Sequence, residues 1–403
     1  MFGMELGLYL KLSAMMFLEF AVWGAWYPVL ATRLLGPLKF SGKQTGWIYA
    51  ALPLGCIFMP LVAGQVADRW INTEFILAGA HLVGTLLLFI AAWKRKFTSL
   101  FAVVLVYAFC YAATLPLVNS LMFRHLAAND ASAKSPYIFM WAPIAWALAG
   151  YFLTGWRWIF KTGEEGRDCL VLAAVLSVVM AVVCGAWLPA TPPTNAAGEV
   201  ASGASAFDML KDVSFLIFII ISMAAPGMQQ FYFLGTAQFM QDNGIASKNV
   251  PAAMAIAQAT QALATLFVLG WLVEHAGYKW TLTIGAASWL ILFTIYVLPR
   301  PAGVIAASQA FHGLAYVFFI IAGQMFAGAV APKGAEASMQ ALIFTAQSGI
   351  ALFLGTQLAG IVMDKCRVEG RFQWRKVWMV PAAVMLICVL ALLFVFKGAV
   401  PTS

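Results

Sequence analysis

Long uncharged apolar runs recur along the whole chain, and they leave few folds open to it. Each is about 20 residues or more, the length of a helix that crosses a bilayer. Twelve can be marked, with ends good to about four residues: about 6–31, 45–67, 74–93, 98–123, 137–157 and 168–188, then about 213–240, 250–274, 279–298, 301–328, 335–362 and 376–397. Only 10% of the 403 residues are charged and mean hydropathy is +0.87, against about 25% charged in soluble domains. Runs this long exclude an outer-membrane barrel, whose strands span about ten residues. The first run carries an acid and outlasts a signal-peptide core, so it is expected to be retained. The expected fold is an all-α integral membrane protein of twelve transmembrane helices in two six-helix halves with pseudo-symmetry. The halves are expected at 1–188 and 212–403, joined by a Pro-, Ala-, Gly- and Ser-rich linker over 189–211.

The net charge of +8 is dispersed, and no basic run exceeds Lys94-Arg95-Lys96. Nothing here suits a nucleic acid. The six cysteines form no CxxC pair and no metal-ligand pattern, so neither a metal nor a cofactor is expected. No HExxH, paired acid or Ser/Lys dyad lies at membrane depth, so the chain is not expected to be an enzyme. A monomer is expected.

Inside the first run, Phe17-Leu-Glu-Phe-Ala-Val-Trp-Gly-Ala-Trp-Tyr27 places Glu19 near mid-membrane. An acid there is expensive, so it faces a bundle interior or a wet cavity and is a functional candidate, with structural hydrogen bonding as the alternative. Glu19 is the only acid deep in a span. It is the expected proton carrier, with His312 as its partner or substitute. His81, the other histidine at depth, is weighed as structural. Trp23 follows one turn after Glu19, and Gly24 admits a helix or a flat ligand. Gln258 and Gln261 share a helix face, and Gln229 adjoins Pro226-Gly227, where a break or kink is expected. Gln229, Gln258, Asn119 and His312, walled by Trp23, Phe139, Trp146, Tyr232 and Tyr316, suit a neutral, flat, polar molecule such as a nucleoside. No basic residue at depth would neutralise a phosphate.

The two halves echo each other. Gly64-Gln-Val-Ala-Asp68-Arg69 ends the second run, and Gly270-Trp-Leu-Val-Glu274 ends the eighth. In each, glycine is expected to allow close helix approach and the acid to meet the N-terminus of the next helix.

Gly64-Gln-Val-Ala-Asp68-Arg69-Trp70 resembles the loop 2–3 signature of the major facilitator superfamily. Phe20-Ala-Val-Trp-Gly-Ala-Trp26, Met228-Gln-Gln-Phe-Tyr-Phe-Leu-Gly235, Ala255-Ile-Ala-Gln-Ala-Thr-Gln261 and His312-Gly-Leu-Ala-Tyr-Val-Phe-Phe319 are similar to segments of the bacterial nucleoside:proton symporters. The resemblance implies a carrier of the inner membrane with a central nucleoside pocket and alternating access. In span 5 it puts a substrate-contacting arginine at Phe139, with further pocket positions at Pro143 and Trp146. In span 7 it keeps Gln229 and turns an asparagine into Tyr232. In span 8 it keeps Gln258 and turns a glutamate into Gln261. In span 10 a tyrosine, a phenylalanine and an aspartate fall at His312, Tyr316 and Val317. The family's charged pocket positions are thus uncharged here, and a polar uncharged family residue stands opposite Glu19. Gly64, Asp68, Arg69, Gly270 and Glu274 take the part of the conformational-switch loops. The resemblance also implies cytoplasmic termini, which would leave only eight of the 24 basic residues inside, against the usual positive-inside bias. From the residues alone, a carrier for another neutral metabolite such as a sugar, a facilitator, or a non-transporting nutrient sensor stays open.

Overall fold

The computed structural model describes residues 5–131, 134–193, 209–331 and 336–398, without the side chains at 61, 68, 336–338 and 341. Twelve long helical spans account for most of it. Span 1 is Leu6–Trp26, with a short helix, Leu30–Leu35, after it. Span 2 is Gly42–Arg69, span 3 Thr73–Trp93 and span 4 Phe97–Ala128. Span 5 runs from Ser135–Phe139 into Trp141–Phe160, and span 6 is Asp168–Ala186. Span 7 is Val213–Asp242. Span 8 starts as Val250–Phe267 and resumes at Leu269; it meets span 9 at Gly277, whose φ of 73° and ψ of 173° suit glycine, and span 9 ends at Val297. Span 10 covers Ala302–Ala307, Gln309–Ala315 and Ala322–Ala329, with a π-helical turn at Tyr316–Ile321. Span 11 covers Glu336–Phe344 and Leu352–Lys365 around a second π turn at Thr345–Ala351. Span 12 is Trp374–Phe394.

The helices follow from the solvent. In hydrocarbon every backbone N–H needs an internal partner, and a helix supplies one to each. Eleven of these helices are long and apolar enough to cross a membrane, and span 2, at 28 residues, has the length. Large apolar side chains such as Phe58, Leu86, Ile159, Phe267, Ile387 and Phe394 point outward, where acyl chains replace a protein core. Between spans 11 and 12, Arg367–Val368 pairs antiparallel with Arg371–Phe372. Glu369 and Gly370 make the two-residue turn with φ of 49° and 81°, the pattern of a primed hairpin turn.

The span 7 helix runs unbroken through Pro226-Gly227. The expectation of a break or kink there is met by no break, and Gly227 is used for packing. A Cβ built at Gly355 would lie 2.2 Å from the Gly227 carbonyl oxygen, so spans 7 and 11 touch backbone to backbone.

The chain resolves into two compact units. Unit 1 comprises residues 1–40, 47–196 and 246–255; unit 2 comprises 41–46, 197–245 and 256–403. Most of the linker expected over 189–211 lies outside the described residues. Its start is held within unit 1: Glu74 Oε2 accepts from the Thr191 N–H at 2.9 Å, and the Thr73 N–H donates to the Thr191 carbonyl at 3.1 Å.

Candidate functional site

In unit 1 the first span carries Glu19, Trp23 and Gly24. Gly24 brings in span 5: a Cβ there would sit 2.8 Å from the Cα of Trp146. The close neighbour admitted by Gly24 is therefore a helix. Trp23 meets Trp146, Tyr111 and Tyr27 edge-on, with ring centroids 5.4, 6.1 and 5.7 Å apart. Trp23, Asn119, Phe139 and Pro143 are half-buried, and Trp146 is 9% exposed. The indole N–H of Trp23 and the Asn119 carbonyl oxygen have no hydrogen-bond partner among the described residues. Phe139 packs its ring 5.8 Å from Phe123.

Behind Trp23 lies Glu19, with no exposed surface. Its Oε2 is 2.9 Å from His81 Nε2, and its Oε1 is 2.6 Å from Thr114 Oγ1. Tyr111 donates its hydroxyl to the Glu19 backbone carbonyl at 2.7 Å. Within unit 1, His81 of span 3 and Thr114 of span 4 fill the places on the carboxylate. Neither Thr114, Tyr111 nor Ser177 drew notice in the sequence, because hydroxyls in a span read as helix glue until their directions are known.

In unit 2, His312 is 1% exposed. Tyr232 stacks on its ring, with centroids 3.8 Å apart and planes 9° from parallel; Phe233 stands edge-on at 5.7 Å. Trp289 of span 9 donates its indole N–H to His312 Nδ1 at 3.3 Å. An indole only donates, so Nδ1 is an acceptor, the imidazole is neutral and its hydrogen is on Nε2. Nε2 has no partner among the described residues. Gln229 and Gln261 are buried, Gln258 and Tyr316 half-buried, and Val317 fully enclosed at the start of the span 10 π turn. Such turns recur at functional sites.

The two echoed loops behave otherwise than expected. A Cβ at Gly64 or Gly270 would meet no atom within 4 Å, so neither glycine serves close approach. Glu274 is exposed, and its carboxylate makes no hydrogen bond among the described residues; the Asp68 side chain lies outside the described ones, and Arg69 is exposed. An acid that does meet the N-terminus of another span is Asp364, at the end of span 11 in unit 2. Its carboxylate accepts from the Gly42 N–H, and from the Lys43 N–H at 2.9 Å, at the start of span 2. Both ends of that contact belong to unit 2.

Two arginines are buried, and both are engaged. Arg157 forks onto Asp168 at 2.7 and 2.8 Å and reaches the Ser247 carbonyl at 3.2 Å. Arg33 donates to the carbonyls of Glu165 and Ala92, each at 2.8 Å. Arg157 is thus neutralised by Asp168, whereas Arg33 meets carbonyls only and its Nε has no partner among the described residues.

Comparison with known proteins agrees with this architecture. A sequence model described as "Nucleoside H+ symporter" matches residues 6–400. The nucleoside permease NupG of Escherichia coli K12 is 28% identical, across 97% of this chain and 96% of its own length. The xanthosine permease of the same organism is 24% identical over 96% of each chain. A crystal structure of the nucleoside transporter NupG superposes with a TM-score of 0.83 at 25% identity, over 97% of this chain and 99% of the other. A bacterial homologue of the lysosomal transporter Spinster shares the fold at a TM-score of 0.74 and 14% identity, over 96% and 95%. The protein is a multi-pass membrane transporter and not an enzyme, and it belongs to the nucleoside H+ symporter family.

Proposed function

We propose that this chain carries neutral nucleosides across the cytoplasmic membrane by alternating access, with protons moving in the same direction. The observation that carries the reading is the family match over residues 6–400, joined to a polar set without free charge. Trp23, Phe139, Pro143 and Trp146 offer ring and apolar surface, and Asn119 an acceptor. Gln229, Gln258 and Gln261 offer amides, and His312 a neutral N–H donor stacked on Tyr232, beside Tyr316 and Val317. A flat base has faces for the rings, and its edges and ribose hydroxyls match uncharged donors and acceptors. Phosphorylated nucleosides do not match this set, which offers them no cation. Glu19 is the proton-binding group in this reading, because an ionisable side chain at membrane depth is costly to keep and marks a functional site by default. Gly64, Asp68, Arg69, Gly270 and Glu274 form the loops that move when access changes.

A thermal-shift panel on purified protein tests the substrate class. Uridine, adenosine and xanthosine are expected to raise the melting temperature with concentration, while nucleoside monophosphates and hexoses leave it unchanged. A shift with hexoses alone would replace the nucleoside by a sugar.

A further inference from the structure

Four side chains from four spans converge inside unit 1, and their hydrogens can be counted. Oε2 of Glu19 lies 2.9 Å from Nε2 of His81, and Oε1 lies 2.6 Å from Oγ1 of Thr114. Nδ1 of His81 is 3.1 Å from Oγ of Ser177 on span 6. Ser177 also donates to the His81 carbonyl at 2.9 Å, and Thr114 to the Tyr111 carbonyl at 2.7 Å. Each hydroxyl has one hydrogen, and a carbonyl can only accept. Ser177 and Thr114 therefore spend their hydrogens on those carbonyls. The three remaining contacts need three hydrogens, and His81 and Glu19 must supply all of them. An imidazolium gives two and a carboxylic acid gives the third. With two protons on the pair, the Thr114 hydroxyl swings to Glu19 Oε1, and only its bond to the Tyr111 carbonyl is lost.

We infer that Glu19 and His81 form a single proton-binding unit that exchanges between two and three protons while its heavy atoms stay in place. The inference rests on the proton-coupled reading above. In loading, a proton bonds to Oε1 of Glu19, turning imidazolium plus carboxylate, net zero, into imidazolium plus carboxylic acid, net +1. In unloading the same O–H bond breaks and the proton leaves. The ionisable groups facing the pair are Tyr107 and Tyr111 of span 4 and Cys184 of span 6, with Cys56 of span 2 beside Tyr111. Phenols and thiols are uncharged near neutral pH, so none balances the added charge. No Lys or Arg hydrogen-bonds to the cluster among the described residues. The unit sits one layer behind the proposed stacking surface, since Trp23 contacts Tyr111 and Tyr111 holds the Glu19 backbone.

The test joins infrared titration of the protein in lipid to transport in proteoliposomes. A protonated-carboxyl band is expected in the wild type, lost as pH rises and absent in Glu19→Gln. In His81→Gln its midpoint is expected to move by about one pH unit or more. Thr114→Val is expected to move it as well, and Thr114→Ser to restore it. In transport, His81→Gln is expected to lose gradient-driven uridine accumulation at least tenfold. Uridine counterflow without a gradient moves no net proton and reports whether each variant is folded. Wild-type protein without counterflow of any nucleoside would remove the transport reading itself. Wild-type accumulation on a proton gradient, matched by His81→Gln, would overturn the paired site. Should His81→Gln show no counterflow, the Thr114 variants decide: a band that titrates identically in Thr114→Val and wild type overturns the proposal.

Discussion

Trp289 fixes the tautomer of His312. Its indole N–H reaches Nδ1 at 3.3 Å, while Tyr232 lies flat on the ring at 3.8 Å. The imidazole is thereby held as a neutral donor through Nε2, which has no partner among the described residues. Replacing Trp289 by Phe keeps an aromatic ring but removes the lock. A single net hydrogen bond contributes about 0.5–1.5 kcal/mol, so the KM for nucleoside uptake is expected to rise about 3–10-fold with little change in maximal rate. Initial-rate uptake over a range of substrate concentrations measures both. An unchanged KM would reduce Trp289 to packing.

Glycines at backbone contacts and glycines in open space make contrasting predictions. Gly355 is pressed against Gly227, whereas Gly64 has nothing within 4 Å of its missing Cβ. Gly355→Ala is expected to cost about 1–3 kcal/mol through overpacking, read as a lower melting temperature in detergent. Gly64→Ala is expected to leave the melting temperature nearly unchanged. Equal shifts for the two would contradict the packing described between spans 7 and 11.

The buried fork of Arg157 on Asp168 sets a third test. Removing one partner leaves an uncompensated charge, so Arg157→Met is expected to destabilise the protein by about 3–5 kcal/mol. Adding Asp168→Leu to that variant is expected to recover most of the loss, because the stranded carboxylate is gone. Thermal unfolding of the two single variants and the double variant gives the coupling.

Asp364 caps span 2 through two backbone N–H groups. Asp364→Ala is expected to cost about 1 kcal/mol, the usual worth of a helix N-cap with its dipole contribution. Asp364→Asn, which can still accept, is expected to lose less, again by melting temperature.

The spans were legible in the sequence because lipid enforces them. Thr73–Trp93, Val213–Asp242 and Trp374–Phe394 begin and end within about four residues of where hydropathy places them. Side-chain direction was not legible. Glu19 could be marked as an acid at depth, but its partner depended on rotations of spans 1, 3, 4 and 6 that no local pattern records. His81 looked like structural glue for the same reason. Pro226-Gly227 reads as a break in isolation, and only the opposing Gly355 shows that the pair serves contact. Asp364, which meets the start of span 2, stands in the same frame, Gly360-Ile-Val-Met-Asp364, and went unmarked, whereas Glu274, which also has it, is exposed. Trp289 is one aromatic among many in an apolar run, and nothing short of its distance to His312 distinguishes it.

Uptake of labelled uridine and adenosine into proteoliposomes, with and without an inward proton gradient, tests the central claim most directly. The account predicts accumulation above the external concentration when the gradient is imposed, and entry only to equilibrium without it. Entry of no nucleoside under either condition would contradict it.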